Sequence, residues 1–308
     1  MTDLWDFLRG ALMTKALAAV VDAGVPEALA DGPRPVSALR GDPDTLQRLL
    51  RALASDGVFL ETEPGVFGHT DLSRQLLNPG WSEFAHLFGG VFFEATTDLE
   101  ASTSTASFPR RFGAGFWEWL AEHPAERAAF DAAMAGERSR PAERLAALGW
   151  AEGEVVVDVG GGNGTLLVEL IRRRPELRGI VLDLPETVRD EEALGDRIEF
   201  VAGSFFESVP EGDAYVLSGI LHDWPDEDAA RILGTIRAGA RPHARLLINE
   251  SVVRPGNDAD GAKWLDLLML LLAGGRERDE EQWRELLAST GWKAVGFPEG
   301  APIEARAG

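Results

Sequence analysis

The run VVVDVGGGNGTLLVEL, residues 155–170, limits what this chain can fold into more than any other stretch. Gly160, Gly161, Gly162 and Gly164 stand between an apolar run carrying Asp158 and a second run whose apolar residues recur at helical spacing. A buried strand, a tight turn and a helix account for that order. Glycines suit such a turn because the backbone there needs positive φ or must approach a ligand without a side chain in the way.

The surrounding texture supplies the rest of the domain. From about residue 150, the apolar runs EVVVDVG, GIVLDLP, RIEFVAG, AYVLSGIL and RLLINESVV alternate with TLLVELIRRRP, TVRDEEALG and DEDAARILGTIRAG. That alternation predicts a parallel sheet with helices on both faces. Two later runs, GWKAVGFPE and APIEARA, are candidates to close the sheet at its edge. Ligands of such sheets lie across the strand C-termini, where the first strand-to-helix turn approaches closest. Asp158 ends the first strand and Asp183 the second, and an acid at the second position is placed to accept from ribose hydroxyls. A nucleoside-containing cofactor is therefore expected, either a nicotinamide dinucleotide or S-adenosylmethionine. The dinucleotide turn reads GxGxxG, whereas Thr165 stands here where its last glycine belongs.

Composition removes several chemistries. The chain has no cysteine, and its five histidines, His69, His86, His123, His222 and His243, include no pair at metal-ligand spacing, so no metal site is expected. A formal charge of −21 argues against a nucleic-acid partner. The opening MTDLWDFLRG has no secretory character, and no window approaches a membrane span, so a soluble cytoplasmic protein is expected.

The first 80 residues read as helix, helix and hairpin, the outline of a winged helix. DPDTLQRLLRALASDGV opens on an acidic cap, sets Leu46, Leu49, Leu50 and Leu53 on one face and stops at Gly57. VFLETEPGVFGHT then reads as two short strands around Pro64 and Gly65. Residues 1–75 carry seven basic and eleven acidic side chains, where a DNA reader presents a basic face. The apolar helix WDFLRGALMTKALAAVVDAGV fits a dimerisation module better. Residues 81–145 are mainly helical and rich in aromatics, the material of an apolar pocket wall.

DVGGGNGTLL, VLDLPETV, GSFFESVPEGDAYVLSGILHDWPDEDAARIL, NESVV and LLMLLLAGGRER stand in the order found in the plant-type S-adenosylmethionine-dependent O-methyltransferases, which the chain resembles over nearly its whole length. That family includes caffeate and flavonoid enzymes and bacterial relatives acting on anthracyclines and other polyketides. The resemblance implies an α/β fold: a Rossmann-like class I methyltransferase domain with a mostly parallel seven-stranded sheet at 146–308, preceded by a mainly α winged-helix dimerisation domain at 1–80 and a helical linker or substrate-pocket segment at 81–145. It implies S-adenosylmethionine as cofactor, a small aromatic hydroxyl as acceptor and a homodimer.

His222 follows AYVLSGIL, so it is expected at a strand C-terminus on the ligand side. An imidazole in reach of a phenol removes its proton as the methyl–oxygen bond forms, an effect worth about 10²–10⁴-fold. Glu250 ends RLLINE at another strand C-terminus, and Glu277 matches the family's second carboxylate; both are expected to hold and polarise His222. For the cofactor, the resemblance points to Asp158, Gly160 and Gly162 near the methionine part and Asp183 at the ribose. Leu184, Ser204 and Phe205 belong around the adenine, with Ser218, Trp224 and Arg127 as further contacts. Met134, Trp264 and Met269 take acceptor-lining positions, and Asp223 is placed to bond a second acceptor oxygen. The chain departs from the family at Ser204, where an acid is common, at Ser218, where plant enzymes carry lysine, and at Asp279, where threonine is common. Other readings are a methyltransferase fold turned to another reaction, like the hydroxylase among anthracycline enzymes, an NAD-dependent oxidoreductase, or a ligand-sensing winged-helix regulator.

Overall fold

The computed structural model of the chain describes residues 3–100, 106–137, 139–185, 187 and 196–308. The chain divides into two compact units, Met1–Leu99 with Pro109–Glu137, and Glu100–Phe108 with Arg138–Gly308.

The N-terminal unit begins with α1 (Leu4–Leu8), α2 (Gly10–Asp22) and α3 (Val25–Ala28), followed by β1 (Arg34–Pro35) and α4 (Pro43–Ser55). Asp42 caps α4 by accepting from the Thr45 N–H at 2.9 Å, and proline at the first helical position loses no hydrogen bond there. Leu46, Leu50 and Leu53 are buried against Val20, Val25 and Phe67, with Leu49 at the margin of the same cluster. β2 (Phe59–Glu63) and β3 (Val66–His69) form the expected hairpin, turning where Gly65 takes φ +77°. A third strand was not foreseen: β1 pairs antiparallel with β3, giving the order β1-β3-β2. Two residues, one of them proline, carry too little pattern to read as a strand.

Four further helices belong largely to this unit: α5 (Trp81–Gly89), α6 (Val91–Thr96), α8 (Phe116–Glu122) and α9 (Pro124–Glu137), with α7 (Ser107–Phe112) before α8. α2 and α5 cross where a Cβ on Gly89 would stand 2.1 Å from that of Ala18, so the crossing tolerates only glycine. The aromatics link ring to ring: Phe88 to Phe92 at 5.5 Å, Phe92 to Phe116 at 6.0 Å, Phe116 to Phe130 at 5.5 Å.

The C-terminal unit holds α10 (Ser139–Ala146), β4 (Val155–Val159), α11 (Thr165–Arg173), β5 (Arg178–Asp183), β6 (Ile198–Ala202) and β7 (Ala214–Ser218). Then come α12 (Asp226–Gly239), β8 (Arg245–Asn249), α13 (Gly261–Leu272), α14 (Glu280–Ser289), β9 (Trp292–Gly296) and β10 (Ile303–Ala307). Its sheet runs β6-β5-β4-β7-β8-β10-β9, with the first five strands parallel and β10 antiparallel to both neighbours. This is the Rossmann-like class I methyltransferase fold. Alternate residues feed opposite cores: Val157, Tyr215 and Leu246 one, Val156, Val216 and Leu247 the other. That double burial is why the strands read as unbroken apolar runs. The last two strands close the sheet in reversed order, β9 outermost. The expected helix or connection TVRDEEALG lies outside the described residues except for Thr187. Among the described residues no helix is long and apolar enough to cross a membrane, and no group of three His, Asp or Glu is arranged to hold a metal ion.

Candidate active site

The strand order reverses at β4, whose neighbours are β5 and β7, so the C-terminal ends of these three strands frame the crevice where open sheets bind ligands. The glycine turn opens there, Gly160 and Gly162 taking φ +70° and +62°. A Cβ on Gly160 would stand 2.6 Å from Ile220 and one on Gly161 2.7 Å from the buried Asp158 carboxylate. Packing within the turn therefore demands glycine there in its own right. Asp183 braces the turn: Oδ2 accepts from the Gly162 N–H at 2.7 Å, while Oδ1 accepts from the Leu184 N–H at 2.7 Å and the Thr187 hydroxyl at 3.0 Å.

Around this turn stand the other expected cofactor residues of the unit. Phe205, Phe206 and Trp224 form one aromatic group, with Phe206 5.0 Å from Phe205 and 4.9 Å from Trp224. Leu184 is 48% exposed, an apolar side chain left free at the end of β5. The two serine departures have local employment. Ser204 accepts from the Phe206 N–H at 3.3 Å, and Ser218 accepts from Asn249 at 3.0 Å across β7 and β8.

His222 sits in a helical turn, Leu221–Asp223, entered from β7 through Gly219 at φ +64°. Its Nδ1 lies 2.6 Å from Glu277 Oε1, and its Nε2 lies 3.7 Å from Asp223 Oδ1. Glu250 meets the same turn differently. Its Oε1 accepts from the Ile220 N–H at 3.1 Å and the Leu221 N–H at 2.6 Å, so it holds the backbone under His222 rather than the ring. Of the two glutamates expected to hold and polarise His222, Glu277 meets the ring and Glu250 the backbone beneath it. The second oxygens of Glu250 and Glu277 are buried without a hydrogen-bond partner among the described residues, leaving acceptor capacity to spare.

Three acids facing one imidazole set its charge. Burial alone would pull His222 down, but the Asp223 charge, the hydrogen bond to Glu277 and the charges of Glu250 and Glu277 outweigh it and push His222 up to about 10. Burial lifts Asp223 to about 7, with His222 opposing and Glu250 and Glu277 adding to the rise. Burial likewise raises Glu250, against the pull of His222 and its two backbone donors. The imidazole is thus a strong base wrapped in acids that stabilise its cation.

The segment Gly275–Asp279 presses on this turn. A Cβ on Gly275 would fall 2.0 Å from the His222 carbonyl oxygen, and the Arg276 N–H donates to that same oxygen at 2.8 Å. Asp266 accepts from the Glu277 N–H at 2.8 Å. Asp279, the third departure from the family, caps α14: it accepts from the Gln282 N–H at 2.9 Å, and the Gln282 side chain accepts from the Asp279 N–H at 3.0 Å. Gly275 was missed, although paired glycines ahead of a charged run are a signal of close approach.

The remaining expected residues lie on α13 and α9. Met269 is buried on α13 while Trp264 on the same helix is 72% exposed, so the helix does not turn both to one side. In the N-terminal unit, α9 carries Arg127, paired with Asp131 at 2.8 Å, and the half-buried Met134.

Residues 5–79 match the O-methyltransferase dimerisation domain, and residues 86–293 match the O-methyltransferase domain. The chain is 35% identical over 307 residues to the phenazine O-methyltransferase PhzM of Lysobacter antibioticus, covering 94% of this chain and 90% of that protein. The crystal structure of LaPhzM superposes with a TM-score of 0.91 at 33% identity, covering 99% and 98% of the two chains. The O-methyltransferase NcsB1 from neocarzinostatin biosynthesis, solved with S-adenosylmethionine and 2-hydroxy-5-methyl naphthoic acid, gives a TM-score of 0.81 at 31% identity over 96% and 95%. With both family models matched in sequence order, and the relatives aligned almost end to end, this chain belongs to the O-methyltransferase family.

Proposed function

We propose that this enzyme uses S-adenosylmethionine to methylate a hydroxyl of a small, flat aromatic metabolite, with His222 as general base and Glu277 as its orienting acid. One observation carries the reading: His222 has Nδ1 committed to Glu277 at 2.6 Å, at the C-terminal edge of the strand beside the glycine turn. A fixed Nδ1 leaves Nε2 as the nitrogen that accepts a proton.

The residues present fit the cofactor. A braced carboxylate at Asp183 retains lone pairs for ribose hydroxyls, Leu184 offers an exposed apolar face to a base, and Phe205 and Trp224 add aromatic surface. When bound, the cofactor supplies an electrophilic methyl group on a sulfonium. The chain's own contribution is proximity and proton removal. His222 takes the acceptor's hydroxyl proton at Nε2, Glu277 stabilises the resulting imidazolium, and Glu250 holds the turn beneath it. Asp223 and the spare glutamate oxygens favour acceptors that bring hydrogen-bond donors. The phenazine and naphthoic acid named for the relatives support a fused-ring acceptor. In this reading residues 1–80 form the dimerisation module of a homodimer, 81–145 a helical segment after it and 146–308 the cofactor-binding domain. Arg127, Asp158, Ser204, Ser218, Met134, Trp264 and Met269 keep the cofactor and acceptor roles that the family resemblance implies.

Calorimetric titration with S-adenosylhomocysteine, and separately with NAD, tests the cofactor. Micromolar binding of the first alone is expected, followed by transfer of labelled methyl to a phenolic panel. Binding of NAD alone, or of neither, overturns the reading.

A further inference from the structure

The segment that carries Glu277 also carries Arg278, whose side chain is fully buried. A buried guanidinium is costly unless its donors are all engaged, and an ion pair recovers little of that cost. Here Nη1 donates to the Leu221 carbonyl at 3.0 Å, Nη2 to the Trp224 carbonyl at 3.0 Å and Nε to Asp226 Oδ1 at 2.9 Å. The charge also stands 5.3 Å from the Trp283 ring. Leu221 immediately precedes His222 and Trp224 immediately follows Asp223, so one rigid fork holds both carbonyls that bracket the catalytic dipeptide. Its counter-ion, the half-exposed Asp226, also accepts from Arg276 at 3.0 Å. A surface ion pair needs neither the burial nor the two backbone carbonyls.

We propose that Arg278 is a positioning residue for methyl transfer: its guanidinium locks the Leu221–Trp224 turn so that His222 keeps Nδ1 on Glu277 and presents Nε2 to the acceptor. The proposal rests on the reading of His222 as the base. Lysine does not substitute, because a single ammonium on a flexible stem lacks the planar fork that spans two carbonyls. A misplacement of about 1 Å at a reacting group costs ~10²-fold in rate, which sets the expected size of the effect.

The test compares Arg278→Ala and Arg278→Lys with the unaltered enzyme. Folding is followed by circular dichroism, cofactor-site integrity by S-adenosylhomocysteine calorimetry, and the His222–Glu277 bond by the downfield Nδ1 proton in NMR, assigned by its loss in His222→Ala. Both variants are expected to bind S-adenosylhomocysteine within about threefold of wild type, a difference well under 1.4 kcal/mol. Both are expected to lose or shift the downfield proton and to lose ~10²-fold in kcat with little change in KM. Added methylguanidinium restores part of the rate of Arg278→Ala and none of that of Arg278→Lys, whose own chain fills the space. An unchanged downfield proton in Arg278→Ala, or full kcat in Arg278→Lys, overturns the proposal. Should the alanine variant not fold, the lysine variant decides alone, since it keeps the stem and the charge. The NMR signal needs no acceptor, so a failed acceptor screen counts against the methyl-transfer reading and leaves this test standing.

Discussion

At the residue scale, the proposed chemistry turns on a histidine whose affinity for its proton is set by three acids. With His222 pushed up to about 10, the free enzyme carries an imidazolium across neutral pH. In the proposed mechanism the productive complex holds one proton between the acceptor oxygen and Nε2. Cationic His222 with a neutral phenol carries one proton too many, so kcat/KM should rise tenfold per pH unit until the first of the two groups has titrated. It should then fall above the second. For a simple phenol, with a pKa of about 10, the rise continues to near that value; for a more acidic naphthol-like or hydroxyquinone acceptor it ends at the acceptor's own pKa. Profiles for two acceptors of different acidity should have ascending limbs that move with the acceptor. A limb fixed at one pH for both would assign the control to an enzyme group such as Asp223, raised to about 7, and remove this account. Asp183 invites a second measurement, because its carboxylate serves the glycine turn as well as any ribose. Asp183→Ala should weaken S-adenosylhomocysteine by at least about tenfold, or 1.4 kcal/mol, in calorimetry. Unchanged affinity would refute the ribose assignment. His222 was legible because motif and strand-end position coincide, and Glu277 through the motif alone. Arg278 was not, since an arginine within RERDEE reads as surface until tertiary packing buries it.

At the element scale, the strands declared themselves because a doubly covered parallel sheet needs unbroken apolar runs, and the helix α4 declared itself through cap, proline and leucine spacing. β1 and the inversion of β9 and β10 did not, because strand order depends on pairings between distant segments that local pattern does not encode. The start of α14 shows the same boundary in miniature. Asp279 stands where the family commonly has threonine, and both are good N-cap residues, so the exchange keeps a helix start rather than a catalytic function. Asp279→Ala should therefore cost about 1 kcal/mol of stability. In a chain of 308 residues that corresponds to roughly 1–2 °C in Tm. Asp279→Thr should stay within a few tenths of a kcal/mol of wild type by the same ranking. Thermal denaturation separates the two, and a loss of kcat in Asp279→Thr at unchanged Tm would show that Asp279 acts on the reaction after all.

At the scale of the whole molecule, the N-terminal unit carries a face that its own core leaves uncovered. Leu4, Trp5, Phe7, Leu8 and Leu12 on α1 and α2 are between 64% and 73% exposed, whereas Ala18, Val20 and Val21 on α2 are buried. Covering a large apolar side chain contributes about 1.5–3 kcal/mol. A two-fold contact buries each of the five twice, which exceeds the roughly 4–15 kcal/mol that association costs. The acidic charge makes the prediction sharper. Two copies at −21 each repel, so the contact has to be apolar and salt should tighten it by screening that repulsion, within a Debye length of about 10 Å at 0.1 M. Truncating residues 1–20 would be a poor test, because it removes Ala18 and Val20 from the core along with the exposed face. The combined substitutions Trp5→Glu, Leu8→Glu and Leu12→Glu leave that core intact and should give monomers in sedimentation equilibrium, with unchanged circular dichroism. The unaltered chain should dimerise more tightly at 0.5 M than at 0.05 M salt. A triple variant that remains dimeric places the interface elsewhere, and a dimer that loosens as salt rises would mean that ion pairs hold it together.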